Sequence, residues 1–207
     1  YLLLWKRWQE CGSRGLEEFL AEHRTELAAD LVFFSDGPKD PSGLPIIALG
    51  AKGDLSIHIT VETMNRNVHA RYAPVLPSAA WQLVEILGKC RSKDKILIPG
   101  FEEGILPFTK KEIEIMDKLP KSEDSLNTIY EAKSSNYGED FYPRLLGQPT
   151  FNICWIKTGA NGVVPAKAEA LIDCRLVPDQ DPEKVFQCIK RHVEMMGYDN
   201  VKIENDG

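Results

Sequence analysis

The sequence has no long apolar run, no surplus of positive charge and no closely spaced cysteine pair. No stretch approaches the roughly 20 apolar residues that would span a bilayer, which argues against a membrane helix. The opening Tyr1-Leu-Leu-Leu-Trp5 is too short for a secretory leader and has no basic flank before it. It reads as a strand that the chain enters halfway. A formal net charge of -6 argues against nucleic acid or an anionic membrane as the main partner. The five cysteines, at 11, 90, 154, 174 and 188, are odd in number and lack a CxxC pair. Cys154 and Cys174 fall inside apolar strand patterns, so buried free thiols are expected rather than a disulfide framework. That expectation points to a reducing, cytoplasmic compartment.

What is present is the composition of an ordinary globular chain, 43% apolar and 27% charged over 207 residues. Residues 1–49 read as strand, helix, strand and loop. Leu2 to Trp5 forms the first strand. Ser13 is the expected N-cap of a helix that places Leu16, Phe19 and Leu20 on one face. Asp30 to Asp36 is a continuous apolar run with polar ends, as in parallel strands buried on both faces. In open α/β sheets ligands gather at the carboxyl ends of strands, and Glu10 and Asp36 fall just after such ends.

From Gly50 the pattern changes. Leu55, Ile57, Ile59 and Val61 alternate, which predicts a strand buried on one side. A helix is expected from Ser78, stopped by Gly88. Residues 91–148 read as an excursion with one short helix near Lys110 to Leu119. Strands are expected at Thr150 to Lys157 and at Ala168 to Leu176. A helix follows from Pro182 to about Met196, and a last strand begins at Asn200. The order β-α-β-β-α-β is that of a ferredoxin-like sandwich, one antiparallel sheet with two helices on one face. The expected fold is therefore a partial parallel α/β segment, residues 1–49, followed by an α+β domain, residues 50–207.

Several local patterns follow one another in a fixed order. Glu10-Cys-Gly-Ser-Arg-Gly-Leu precedes Ser35-Asp36, and Gly50-Ala-Lys-Gly precedes the alternating strand. Then come Val68-His69, Pro149-Thr-Phe-Asn-Ile, Val163-Val-Pro165 and the run Arg175-Leu-Val-Pro-Asp-Gln-Asp-Pro182. Together these resemble the zinc metallopeptidase family of carnosinase-like dipeptidases, glutamate carboxypeptidase, acetylornithine deacetylase and succinyl-diaminopimelate desuccinylase. The excursion with Ile98-Pro-Gly-Phe101 looks most like the dipeptidase branch. The resemblance implies a catalytic α/β domain with an inserted lid that also dimerises.

It also implies roles. Glu10 and Asp36 stand where the family has one ligand for each of two zinc ions, and carboxylates suit that metal. His69 matches a lid histidine that reaches the partner subunit's site and stabilises an oxyanion. Arg175 matches an arginine that holds a substrate carboxylate, a task suited to its planar fork. Asn152 is a candidate for the same pocket, and Gly162 stands where relatives carry a substrate-contacting side chain. The bland readings are solvated acids for Glu10 and Asp36, a loop histidine for His69 and a snorkelling strand-end cation for Arg175. His23, His58 and His192 read as surface residues.

The departures are equally specific. Gln9 stands at the family's general-base position, and an amide cannot take a proton from water. The basic run Trp5-Lys-Arg-Trp8 is unexpected near two cations. Either residues 1–9 depart from the native coding sequence, as the abrupt resumption at Glu10 favours, or the chain is a pseudoenzyme. No His-x-Asp motif precedes Glu10 and no His-Gly segment follows. A catalytic zinc needs about three protein ligands, so the chain alone is expected neither to bind zinc tightly nor to cleave peptides. Two functions fit: a fragment of a two-zinc hydrolase acting on peptide or N-acyl amide bonds, and a homodimerising interaction module without chemistry of its own.

Overall fold

The structure is a computed structural model that describes residues 15–32, 43–46, 50–93, 95–120, 123–133 and 140–206. The chain divides into two compact units, Tyr1–Lys39 and Asp40–Gly207. In the first, the described residues hold one helix, α1 (Leu16–Glu22). Its N-cap is Gly15, at φ 76°, without a side-chain cap; Ser13 lies outside the described residues. Asp30, Leu31 and Val32 are irregular rather than a strand, and Leu31 is 83% exposed. Apolar character alone does not make a strand, because the backbone still needs a partner to take up its hydrogen bonds. The expected strand at Leu2 to Trp5 and residues 33–36 of the second lie outside the described residues.

The second unit begins with β1 (Gly53–Glu62), β2 (Val68–His69) and α2 (Ala79–Cys90). A small hairpin, β3 (Arg91–Ser92) and β4 (Lys95–Ile96), leads into α3 (Lys110–Met116), α4 (Glu123–Tyr130) and α5 (Phe141–Gly147). The chain then returns through β5 (Asn152–Lys157), β6 (Val163–Val164), β7 (Lys167–Leu176), α6 (Pro182–Glu194) and β8 (Val201–Asn205). The main sheet has the order β5-β7-β1-β8, and every pair in it is antiparallel.

Strand alternation builds the core. Leu55, Ile57, Ile59 and Val61 of β1 face Cys174, Ile172, Ala170 and Ala168 of β7 in direct register. All eight are buried. Onto this face come Leu83, Ile86 and Leu87 of α2 and Val185, Ile189 and Val193 of α6. Both helices therefore cover the same side of the sheet. Each fully buried aliphatic side chain contributes about 1.5–3 kcal/mol relative to exposure. Asp181 caps α6 by accepting the backbone N–H groups of Glu183 and Lys184, and Pro182 occupies the first turn.

The structure corrects four readings. Gly88 does not stop α2, which runs on to Cys90 because that side chain is fully buried against the core. The described residues of the excursion hold three helices, not one. The capping box of Thr109 and Glu112 sets α3. The short α5 packs so closely that a Cβ on Gly147 would lie 2.4 Å from the Phe108 ring. Cys154 is exposed, because a bulge between Ile153 and Trp155 interrupts the alternation of β5 and turns it outward. Finally, His58 is half-buried beneath the Trp155 ring, with centroids 5.5 Å apart, and Nε2 lies 3.6 Å from Glu169.

Two outcomes follow from this packing. Ile172→Ala should lower the unfolding free energy by about 2–5 kcal/mol, whereas Lys190→Ala, exposed on α6, should change it by less than about 0.5 kcal/mol in urea titrations. Burial pushes the Cys90 and Cys174 thiols up to about 12, so both stay protonated at neutral pH. An alkylating reagent at pH 8 should therefore modify Cys154 in the folded chain and spare those two until urea is added, as peptide mass mapping reads directly.

Candidate functional site

The candidate residues separate into two groups, one on the small β2-β6 pair beyond one end of β7 and one at the other end of that strand. At one end, β2 pairs with β6 so that His69 opposes Val163, and the Ala70 N–H donates to the Gly162 carbonyl at 2.8 Å. Gly162 is at φ 75°, a left-handed conformation that glycine adopts without a Cβ clash. Asn67 steadies this strand pair by accepting the Ala166 N–H at 2.9 Å. At the other end, Arg175 opposes Asp54 and Asn152 opposes Asp173. From Arg175 to Lys167 is eight residues of β7, roughly 26 Å at about 3.3 Å per residue. One small molecule cannot touch both groups of a single chain.

His69 is exposed and caps a short 3-10 turn, Ala70–Tyr72. Its Nδ1 accepts the backbone N–H of Arg71 at 3.1 Å. A backbone N–H can only donate, so the neutral ring carries its proton on Nε2. That nitrogen is left as a donor pointing away from the turn's own backbone bond, as stabilisation of a developing negative charge requires. Arg71 in turn lies over the Tyr72 ring, 4.6 Å from its centroid. Sequence reasoning missed this positioning pair. The available signal was Val68-His-Ala-Arg-Tyr, a histidine at the start of a tight turn.

Arg175 is exposed but occupied. Its Nε and Nη2 donate to the two Asp173 oxygens at 3.0 and 2.8 Å, and Nη1 lies 3.3 Å from Asp54 Oδ2. The Asp173 hydrogen bond, then the surrounding carboxylates, hold its pKa above the usual guanidinium range despite partial desolvation. Thr150 fixes the strand end, accepting the Arg175 N–H at 2.9 Å. Gln9, Glu10 and Asp36 lie outside the described residues. Among the described residues, no three histidine, cysteine or acidic side chains come together to hold a metal. Nor is any helix among them long and apolar enough to cross a membrane.

With this geometry in view, the chain belongs to the peptidase dimerisation domain family, whose model it matches over residues 49–200. Its relatives are M20 metallopeptidases. The Cys-Gly metallodipeptidase DUG1 of Saccharomyces cerevisiae is 27% identical over 197 residues, covering 90% of this chain and 41% of that protein. Human Beta-Ala-His dipeptidase is 23% identical over 202 residues, covering 90% and 39%. An M20 family metallo-carboxypeptidase from Sulfolobus solfataricus superposes with a TM-score of 0.80 at 29% identity, covering 93% of this chain and 53% of its own. Human carnosine dipeptidase 1, at 22% identity and a TM-score of 0.82 over 94% and 45%, shares the fold. The chain spans less than half the length of the curated relatives it matches.

The His69 geometry is directly testable. Nitrogen-15 imidazole spectra of the neutral ring should show the Nε2–H tautomer in excess. Arg71→Pro, which removes the donor, should raise the Nδ1–H fraction; a spectrum insensitive to that change would mean the bond is absent in solution.

Proposed function

We propose that this chain is the lid and dimerisation part of an M20 hydrolase of the dipeptidase or carboxypeptidase type, cleaving a peptide or N-acyl amide bond at a site shared between two subunits. The observation that carries this reading is that Arg175 lies near one end of β7 while His69 sits on the separate β2-β6 pair beyond its other end. In a two-fold dimer, each site takes Arg175 and Asn152 from one subunit and His69 from the other. The domain reading is that of a ferredoxin-like lid over residues 50–207, which the order β5-β7-β1-β8 and the two helices on one face support.

The surface beside β5 suits the pairing. Trp81 and Val84 of α2 and Ile153 and Ile156 of β5 are exposed, Trp81 by 71%. They border two adjoining depressions that share Val84. An apolar strip next to a strand edge without a partner among the described residues is the usual setting for strand-edge association. Within the dimer His69 donates from Nε2 to the oxyanion, and Arg175 with Asn152 orients the substrate's carboxylate end.

The family implies a metal, zinc by the resemblance, with Glu10 and Asp36 as its expected ligands here. The described residues do not assemble a ligand set, so no step is derived through the metal. A second reading, an assembly module without chemistry, is favoured by one observation: Asp173 and Asp54 already engage Arg175.

Subunit mixing separates the two readings. On the full-length protein, His69→Ala and Arg175→Ala should each abolish peptidase activity, and mixing the two should restore up to roughly a quarter of it through heterodimers with one intact site. Trp81→Glu in both partners should prevent the rescue. Inactive variants without rescue would mean that both residues serve a site in one chain, and unaffected variants would leave the module reading.

A further inference from the structure

Three cations, none of which the peptidase reading uses, line one cleft, and Asn152, which that reading gives to the substrate, also borders it. Lys52, Arg91 and Arg144 border a depression of about 470 Å³ at the start of β5. Lys52 Nζ donates to the Gln148 carbonyl at 2.6 Å. Arg91 donates to the carbonyls of Phe151 and Lys93, each at 3.0 Å. Arg144 Nε donates to the Gln148 side-chain oxygen at 3.2 Å. The acceptors of Lys52 and Arg91 are neutral carbonyls, so these bonds hold both cations at the cleft without cancelling their charge. The one carboxylate on its wall, Asp173, is gripped by Arg175 through both oxygens.

Such an arrangement is unfavourable while empty. Like charges border one depression, and partial burial of Lys52 holds its ammonium below the usual lysine range. In an acidic chain of net charge -6, a local surplus of cations is a specific feature rather than a general one. Donors also remain free to receive a ligand. Lys52 has three N–H groups and Arg91 five, of which the bonds above use one and two. The Thr150 oxygen accepts the Arg175 N–H, which leaves its own hydroxyl proton to give. No described residue takes up the Asn152 amide, which also lines the cleft.

We propose that this cleft binds a small polyanion, a molecule with two or more closely spaced carboxylate or phosphate groups. Lys52 and Arg91 are its main charge partners, and Thr150 and Asn152 its neutral donors. A planar guanidinium and a compact ammonium bordering one cleft favour oxyanions set a few ångströms apart over a single one.

Isothermal titration of the complete 207-residue chain tests this at constant ionic strength, with citrate, inorganic pyrophosphate and, as a single-charge control, acetate. At least one polyanion should bind saturably at one site per chain, and acetate should not. Lys52→Gln and Arg91→Gln should each weaken binding by about tenfold or more, Arg91→Lys should weaken it less, and Lys184→Gln, exposed on α6, should leave it unchanged. Citrate alone would assign the carboxylate class, and pyrophosphate alone the phosphate class. No saturable binding of either, or equal binding by the Lys52→Gln variant with an unchanged unfolding curve, overturns the proposal. None of these readouts involves peptidase activity, so the outcome is independent of the reading above.

Discussion

The antiparallel register between β1 and β7 is the constraint on which the rest of this domain depends. Ten consecutive pairs, from Gly53 with Leu176 to Glu62 with Lys167, put four apolar residues of each strand on one face. A slip of one residue would turn that set outward and bring Ser56 and His58 into its place. The same register sets the spacing of the candidate groups. It places Arg175 beside Asp54 at one end of the sheet and carries the chain toward the β2-β6 pair with His69 at the other. A rigid strand pair thus works as a spacer, and the two candidate groups cannot drift together without unfolding the core.

Among the described residues, the long excursion is tied to this core in part by residues that give the sequence its family character. Phe101 and Phe151 are both buried and meet edge to face at 6.3 Å, linking the end of the Ile98–Phe101 run to the start of β5. Gln180 donates to the Phe101 carbonyl at 2.6 Å while its oxygen accepts the Val177 N–H at 3.0 Å. The side chain therefore ties the loop after β7 to the excursion. Residues that look like a signature in the sequence here act as a clamp between segments nearly eighty positions apart.

Legibility followed the source of each signal. Alternation in Leu55 to Val61 and helical spacing in Val185, Ile189 and Val193 are local, and both elements stand where they were expected. The misreadings share one cause. Gly88 marks an end by its own propensity, but the burial of Cys90 carries α2 past it. Cys154 belongs to an apolar pattern, but a bulge on β5 reverses its direction. The helices of the excursion have short, broken apolar faces whose partners lie on one another, as with Phe108 and Gly147. His69 and Arg175 were marked by resemblance, yet the Arg71 bond that fixes the ring and the carboxylates around Arg175 come from neighbours that no spacing reveals.

The sequence by itself determined which segments become strands and helices in the second unit and which faces they bury, because period and capping act over a few residues. It also carried the membership of the peptidase dimerisation family in its ordered motifs. Only the tertiary structure decided which polar groups meet. Lys52, Arg91 and Arg144 come from three separate parts of the chain, and Asp173 reaches Arg175 rather than the cleft it borders. Charges interact through space, and it is the folded sheet that sets those distances.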